Sequence, residues 1–250
     1  MSNYNFDLNY AIPNIDISEP ELKAIIAEAN IIIFNDNLSS EELADTNIPI
    51  LNGNLSSDEL ALAYLKKAQC MQKLGQYAGK SEGTQRIIKN LLERALELSP
   101  DMPEALMQMG KWNHIQCNYC EALNMYNRAI QLKPDYAAAF NNRGVTYVET
   151  GNYRDNMEKA IADYTEAIRL RPSEGTYYFN RGLNYSKLGL HKEAIADLSE
   201  SIRLKPGLTN ALFLRALTYI SAGDKDKAKA DFDDVLRRRK LKNNFHSIII

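Results

Sequence analysis

Cysteine, histidine and tryptophan are scarce in this chain. Three cysteines in 250 residues cannot build a disulfide framework and point to a reducing compartment. Three histidines, His114, His191 and His246, leave little from which to assemble a metal centre or an acid–base pair. Neither sign of charge dominates, and a net charge of -2 gives no electrostatic case for nucleic acid or an anionic membrane. Long apolar runs are missing too. The clusters IIIF at 31–34 and III at 248–250 fall far short of the ~20 residues that span a bilayer. The first residues, MSNYNFDLNYAIP, have no basic start and no apolar run, so no secretory signal is expected. No phosphate loop, GxSxG or HExxH is present, so no catalytic residue, cofactor or metal is nominated and no enzyme is expected. Most carboxylates are expected on solvated helix faces. The expectation is a non-enzymatic protein of the cytoplasm.

What the chain does have is a rhythm. LELSP, IQLKP, IRLRP and IRLKP end at Pro100, Pro134, Pro172 and Pro206, with spacings of 34, 38 and 34. Gly110, Gly144 and Gly182 keep the same beat, and Ala216 takes that place in the next unit. Tyr147, Tyr185 and Tyr219 follow, then Ala122, Ala160, Ala194 and Ala228. A period in this range with two amphipathic stretches per unit is the mark of a solenoid, in which neither helix can bury its apolar stripe alone.

These residues resemble the tetratricopeptide repeat family, whose unit is a helix–turn–helix of about 34 residues with small, aromatic, glycine, alanine and proline positions in this order. The clearest unit is GTYYFNRGLNYSKLGLHKEAIADLSESIRLKP, from Gly175. The resemblance implies an all-α, right-handed α-solenoid of about five repeats, TPR in the family's shorthand, with an N-terminal helical extension. The expected units are 58–102, 103–136, 137–174, 175–208 and 209–242. The first is degenerate, with extra length at AGKSEGT. The third has an insertion at YRDNME, where Asp155 and Glu158 read as a capping box that would start the second helix late. Residues 1–57 are expected to form an extension or cap. There Ser18–Glu21 is a second capping box leading into LKAIIAEANIIIF, and SSEELAD (39–45) is a candidate short helix. Residues 243–250 are expected to be a tail.

The resemblance also implies where a ligand goes, because the first helices of such arrays line a concave face. In this chain that face, over 103–221, would be lined by Met107, Gln108, Lys111, Asn141, Asn142, Phe179, Asn180, Asn210 and Phe213, with His114 at one end. Gln108, Asn142 and Asn180 take the same place in successive repeats. They are similar to the asparagine ladder in the repeat region of O-linked N-acetylglucosamine transferases. An amide both donates and accepts, so such a row fits the backbone of an extended peptide. The expected role is an adaptor for a protein or peptide partner, with neither nucleic acid nor membrane involved. Chaperone-binding members use cations at defined places to hold a carboxylate. In one frame those places hold Met107, Lys111, Asn142, Thr176 and Asn180, so no Hsp70/Hsp90-type clamp is expected. The alternative is a scaffold that self-associates through an uncovered C-terminal repeat, with a homodimer possible. RRRK at 237–240 reads as a solvated helix end that favours its own macrodipole.

The stretch HIQCNYC, His114 to Cys120, offers a remote third reading, a metal or redox site at His114, Cys117 and Cys120. It lacks a nearby fourth ligand. In the repeat register it is the corner between two helices. Cys117 stands where other units have Gly75, Gly151, Gly189 and Gly223. A cysteine in place of that glycine predicts an altered corner or an exposed, oxidisable thiol.

Overall fold

The computed structural model describes the backbone of residues 56–78, 82–150 and 153–246, and the side chains of these except 73–78, 153 and 239–246. Among the described residues there are ten helices and no strand. They are α1 (Ser57–Ala78), α2 (Glu82–Leu98), α3 (Pro103–Ile115), α4 (Tyr119–Leu132), α5 (Ala137–Glu149), α6 (Tyr153–Leu170), α7 (Gly175–Lys187), α8 (His191–Leu204), α9 (Thr209–Ser221) and α10 (Lys225–His246). They divide at Pro134–Asp135 into two compact units, one holding α1–α4 and the other α5–α10. In each unit consecutive helices pair as hairpins, and successive hairpins pack on one another. The all-α architecture expected from the repeat is thus present. The helices expected between residues 18 and 45 lie outside the described residues.

The helix ends follow from local chemistry. Proline disfavours a helical residue before it, and Lys133 and Lys205 accordingly leave the helix at φ -137 and φ -136. At three corners the chain turns through one residue of positive φ. Gly189 (φ 75) and Gly223 (φ 87) are such turns, and the amides that follow them, Leu190 and Asp224, donate back to the carbonyls of Tyr185 and Tyr219. At its start α1 has a reciprocal cap: the Glu59 amide donates to Ser56 Oγ, and the Ser56 amide donates to Glu59 Oε2.

Small residues set how closely the hairpin helices approach. A Cβ at Gly110 would sit 2.6 Å from the Tyr126 ring, and one at Gly144 would sit 2.8 Å from the Tyr164 ring. In the α1–α4 unit the core is apolar: Leu60, Leu65, Ile88, Leu92 and Met109 are buried in one cluster, with Met125 and Trp112 packed against it. The Trp112 indole also donates to the Gln85 carbonyl, tying α3 to α2.

In the α5–α10 unit each hairpin has an ionic fork. Arg143 holds Asp163, Arg181 holds Asp197 and Arg215 holds Asp231, each through two nitrogens at 2.6–2.9 Å. The three aspartates are buried, exceptions to the general expectation of solvated carboxylates. A third guanidinium nitrogen reaches one helix further back, from Arg181 to Thr165 Oγ1 and from Arg215 to Ser199 Oγ. Each of these two forks therefore joins three helices. The carboxylates hold all three guanidiniums protonated more firmly than usual.

The break between α1 and α2 falls inside AGKSEGT, whereas the YRDNME insertion is absorbed differently from the expectation. Helix α6 begins at Tyr153 and runs 18 residues, so the extra length is helix rather than loop, and Asp155 lies inside the first turn. At the front α1 continues through Gly75 to Ala78 over 22 residues, so Gly75 is not a corner. Helix α10 likewise continues to His246.

Candidate functional site

In the α5–α10 unit the first helices of the hairpins are tied side to side by polar groups. Asn180 Nδ2 on α7 donates to Asn141 Oδ1 on α5 at 2.8 Å. Asn141 Nδ2 makes a long contact of 3.4 Å with its neighbour Asn142 Oδ1. Ser186 and Thr218 share a hydroxyl hydrogen bond of 3.0 Å between α7 and α9. Asn141 and Asn142 are 0% and 2% exposed, while Asn180 is half-buried and Asn210 exposed. Asn141, Asn142 and Asn180 are therefore bonded to one another, and of these three Asn180 is nearest solvent.

At one end of this face the chemistry changes. Phe213, Leu217 and Ile220 stand 42%, 38% and 50% exposed on one stripe of α9, at the i, i+4, i+7 spacing of a single helix face. Phe179, in Phe213's place one repeat earlier, is buried against Leu198, Leu208 and Ala211. Phe213 instead meets Phe232 edge-to-face at 5.6 Å. Ile220 was not among the residues nominated from sequence. The signal existed, since Ile220 takes the place in its repeat that His114 takes in its own. The cation nearest the buried Thr176 is Lys205, whose Nζ lies 3.2 Å from Thr176 Oγ1 and 3.4 Å from Glu174 Oε1.

The nominated residues Met107, Gln108 and Lys111 lie on α3 in the other unit, and all three are buried. So is His114, whose imidazole is edge-to-face with Tyr119 at 5.3 Å. Burial pushes the His114 pKa down to about 4, so the ring is neutral at pH 7.

Cys117 and Cys120 are free thiols exposed to solvent, unlike the buried His114. Among the described residues no group of three or more His, Cys, Asp and Glu side chains comes together to hold a metal ion. Cys117 has φ 61. The amide after it, Asn118, donates to the Asn113 carbonyl at 2.9 Å, the bond that Leu190 and Asp224 make at the glycine corners. The corner is not altered: the cysteine adopts the glycine's conformation. Among the described residues no helix is long and apolar enough to cross a membrane.

Family models match along residues 118–239. One described as TPR repeat covers 118–151, and models described as Tetratricopeptide repeat cover 137–174, 175–207 and 210–239. No curated protein matches the chain. Among solved structures the chain is similar to MamA from Desulfovibrio magneticus RS-1 at 16% identity and TM-score 0.59, covering 71% of this chain and 96% of that one. It is similar to YrrB, titled a TPR protein with an unusual peptide-binding site, at 18% identity and TM-score 0.55, covering 76% and 92%. It is also similar to TTC0263 of Thermus thermophilus, a thermophilic TPR protein, at 25% identity and TM-score 0.55, covering 73% and 98%.

Proposed function

Because the chain belongs to the tetratricopeptide-repeat family, we propose that it is a non-enzymatic protein-interaction module whose inner face over residues 137–221 takes an extended segment of a partner protein. The observation that carries this reading is the junction of two chemistries on one face. Asn180, fixed by Asn141, presents an amide at the edge of solvent. Phe213, Leu217 and Ile220 supply an apolar stripe on α9, the first helix of the next hairpin. The amide would bond one peptide unit of the ligand. An apolar ligand side chain on the stripe would add about 1.5–3 kcal/mol on full burial. Lys205 is engaged by Glu174 and Thr176, which supports a ligand whose terminal carboxylate is not clamped. The peptide-binding title of the similar YrrB supports the same reading.

Asn141 and Asn142 enter this proposal as supports for Asn180, since both are buried. The test is an array of extended peptides probed with the full chain and with Asn180→Ala/Phe213→Ala. Peptides held by the wild type should bind at least tenfold more weakly to the double variant, with helicity unchanged. Unchanged retention would place the ligand elsewhere.

A second reading, self-association through α10, is favoured by Leu236, the most exposed of the large apolar side chains among the described residues at 56%. Light scattering should then show a mass that rises with concentration and is returned to monomer by Leu236→Glu. A monomer at every concentration removes this reading.

A further inference from the structure

The first 55 residues and the remainder of the chain carry opposite charge. Residues 1–55 have nine acidic residues and one basic residue, Lys23, while residues 56–250 have 29 basic and 23 acidic residues. The segment is thus at -8 and the remainder at +6, which the overall -2 conceals. Opposite charge draws two such parts together and speeds their encounter.

The start of the segment has a pattern to match the inner face. From Asn3 to Ile12 the sequence NYNFDLNYAI places Tyr4, Phe6, Leu8, Tyr10 and Ile12 on one parity. Asn3, Asn5, Asp7 and Asn9 take the other. A period of two is that of an extended chain with its apolar side chains all on one side. Such a chain has backbone groups to offer an amide and apolar groups to offer a stripe, which is the combination that Asn180 and Phe213–Leu217–Ile220 present. Forty-three residues lie between Ile12 and Ser56. As a coil they span roughly 36 Å, and extended well over 100 Å, so the tether does not forbid the encounter.

We propose that residues 3–12 are an occupant of the inner face in their own molecule, held there in competition with partner segments. This rests on the reading of that face as a peptide site. Tethering makes the segment a ligand at an effective concentration on the order of 1 mM. A segment whose free affinity is about 100 µM would then fill the site about nine-tenths of the time. It would weaken a competing peptide about tenfold. A partner would have to displace the segment, so the module would respond only to ligands that outbid it or to changes that release it.

The test uses the full chain and, as probe, a fluorescent peptide of the sequence of residues 1–14. Phe6→Ser/Leu8→Ser in the protein removes two apolar contacts of the tethered segment without touching the repeats. The probe should bind this variant about tenfold more tightly than wild type, and a scrambled probe should bind neither. Equal binding to both proteins, or no binding to the variant, overturns the proposal, and the peptide array then judges the site independently. If the variant binds tightly but adding Phe213→Asp leaves that affinity unchanged, the segment is a ligand of another surface and the reading of this face has failed. A wild-type dimer that Phe6→Ser/Leu8→Ser converts to monomer would show that the segment is exchanged between copies, which overturns occupancy within one molecule.

Discussion

The α3–α4 hairpin joins its helices through apolar side chains at the place where the hairpins of residues 137–246 use an arginine and an aspartate. Arg181 and Asp197 are 16 residues apart, as are Arg215 and Asp231, and a four-residue insertion stretches Arg143–Asp163 to 20. The corresponding positions in the α3–α4 hairpin hold Met109 and Met125, which belong to the apolar cluster. The same backbone hairpin thus tolerates either chemistry at its waist. An ionic fork bonds in few orientations and fixes the angle between helices. A methionine pair only needs contact area. The unit that carries the proposed ligand face is the one built on forks, and Arg181 and Arg215 lie on α7 and α9, the helices that present it.

Breaking one fork should give the largest effect. Asp197→Ala leaves the half-buried Arg181 without its carboxylate and should cost about 3 kcal/mol, read from urea denaturation. Arg181→Met/Asp197→Met, which imports the chemistry of the other unit, should lie within about 1 kcal/mol of wild type. If the double variant is as unstable as the single one, the two chemistries are not interchangeable and the equivalence drawn between the units is wrong.

The α1–α4 unit should be the one that weakens in mild acid. His114 is buried, and burial lowers its folded pKa to about 4 from the ordinary histidine value of about 6.5. Above pH 6.5 the ring is neutral folded or unfolded, and stability is at its full value. As pH falls below that, the unfolded chain binds a proton that the folded one refuses until about pH 4. Stability drops across this window by up to roughly 3 kcal/mol. Melting curves from pH 7 to 4 should show the loss, and His114→Gln should flatten it. An identical slope in the variant would assign the acid sensitivity to other groups.

The smallest effect concerns corners. Cys117 holds φ 61 where Gly189 and Gly223 hold φ 75 and φ 87, and a side chain in that region is strained by about 1 kcal/mol. Cys117→Gly should therefore stabilise by about that amount, and Gly189→Ala should destabilise by a similar amount, each measured as a shift in denaturation midpoint. A destabilising Cys117→Gly would mean that the thiol contributes contacts that outweigh the strain.

Much of the fold was legible because its causes are local. Pro134 and Pro206 end α4 and α8 through the residue before them. Gly144 and Gly182 mark close helix approach because a Cβ there would press on Tyr164 or Leu198. The candidate face was legible in part. Asn180, Asn210 and Phe213 are accessible or half-buried, whereas Met107, Gln108, Lys111, Asn141, Asn142 and Phe179 are buried. The repeat register assigns a residue to a side of its helix, yet how deeply it is buried depends on what packs over that side.

The same division holds for the whole protein. Proline and glycine spacing by itself determined the corners at Gly189 and Gly223, and even the one at Cys117, where the turn kept the glycine geometry against the residue's own preference. Tertiary structure alone decided which polar groups meet: Asn180 with Asn141, 39 residues away, and Arg181 with both Asp197 and Thr165. It also turned the YRDNME insertion into helix. A local pattern fixes backbone conformation through sterics within a few residues. The desolvation that forces a buried amide or carboxylate to find a partner is set by every element that packs around it.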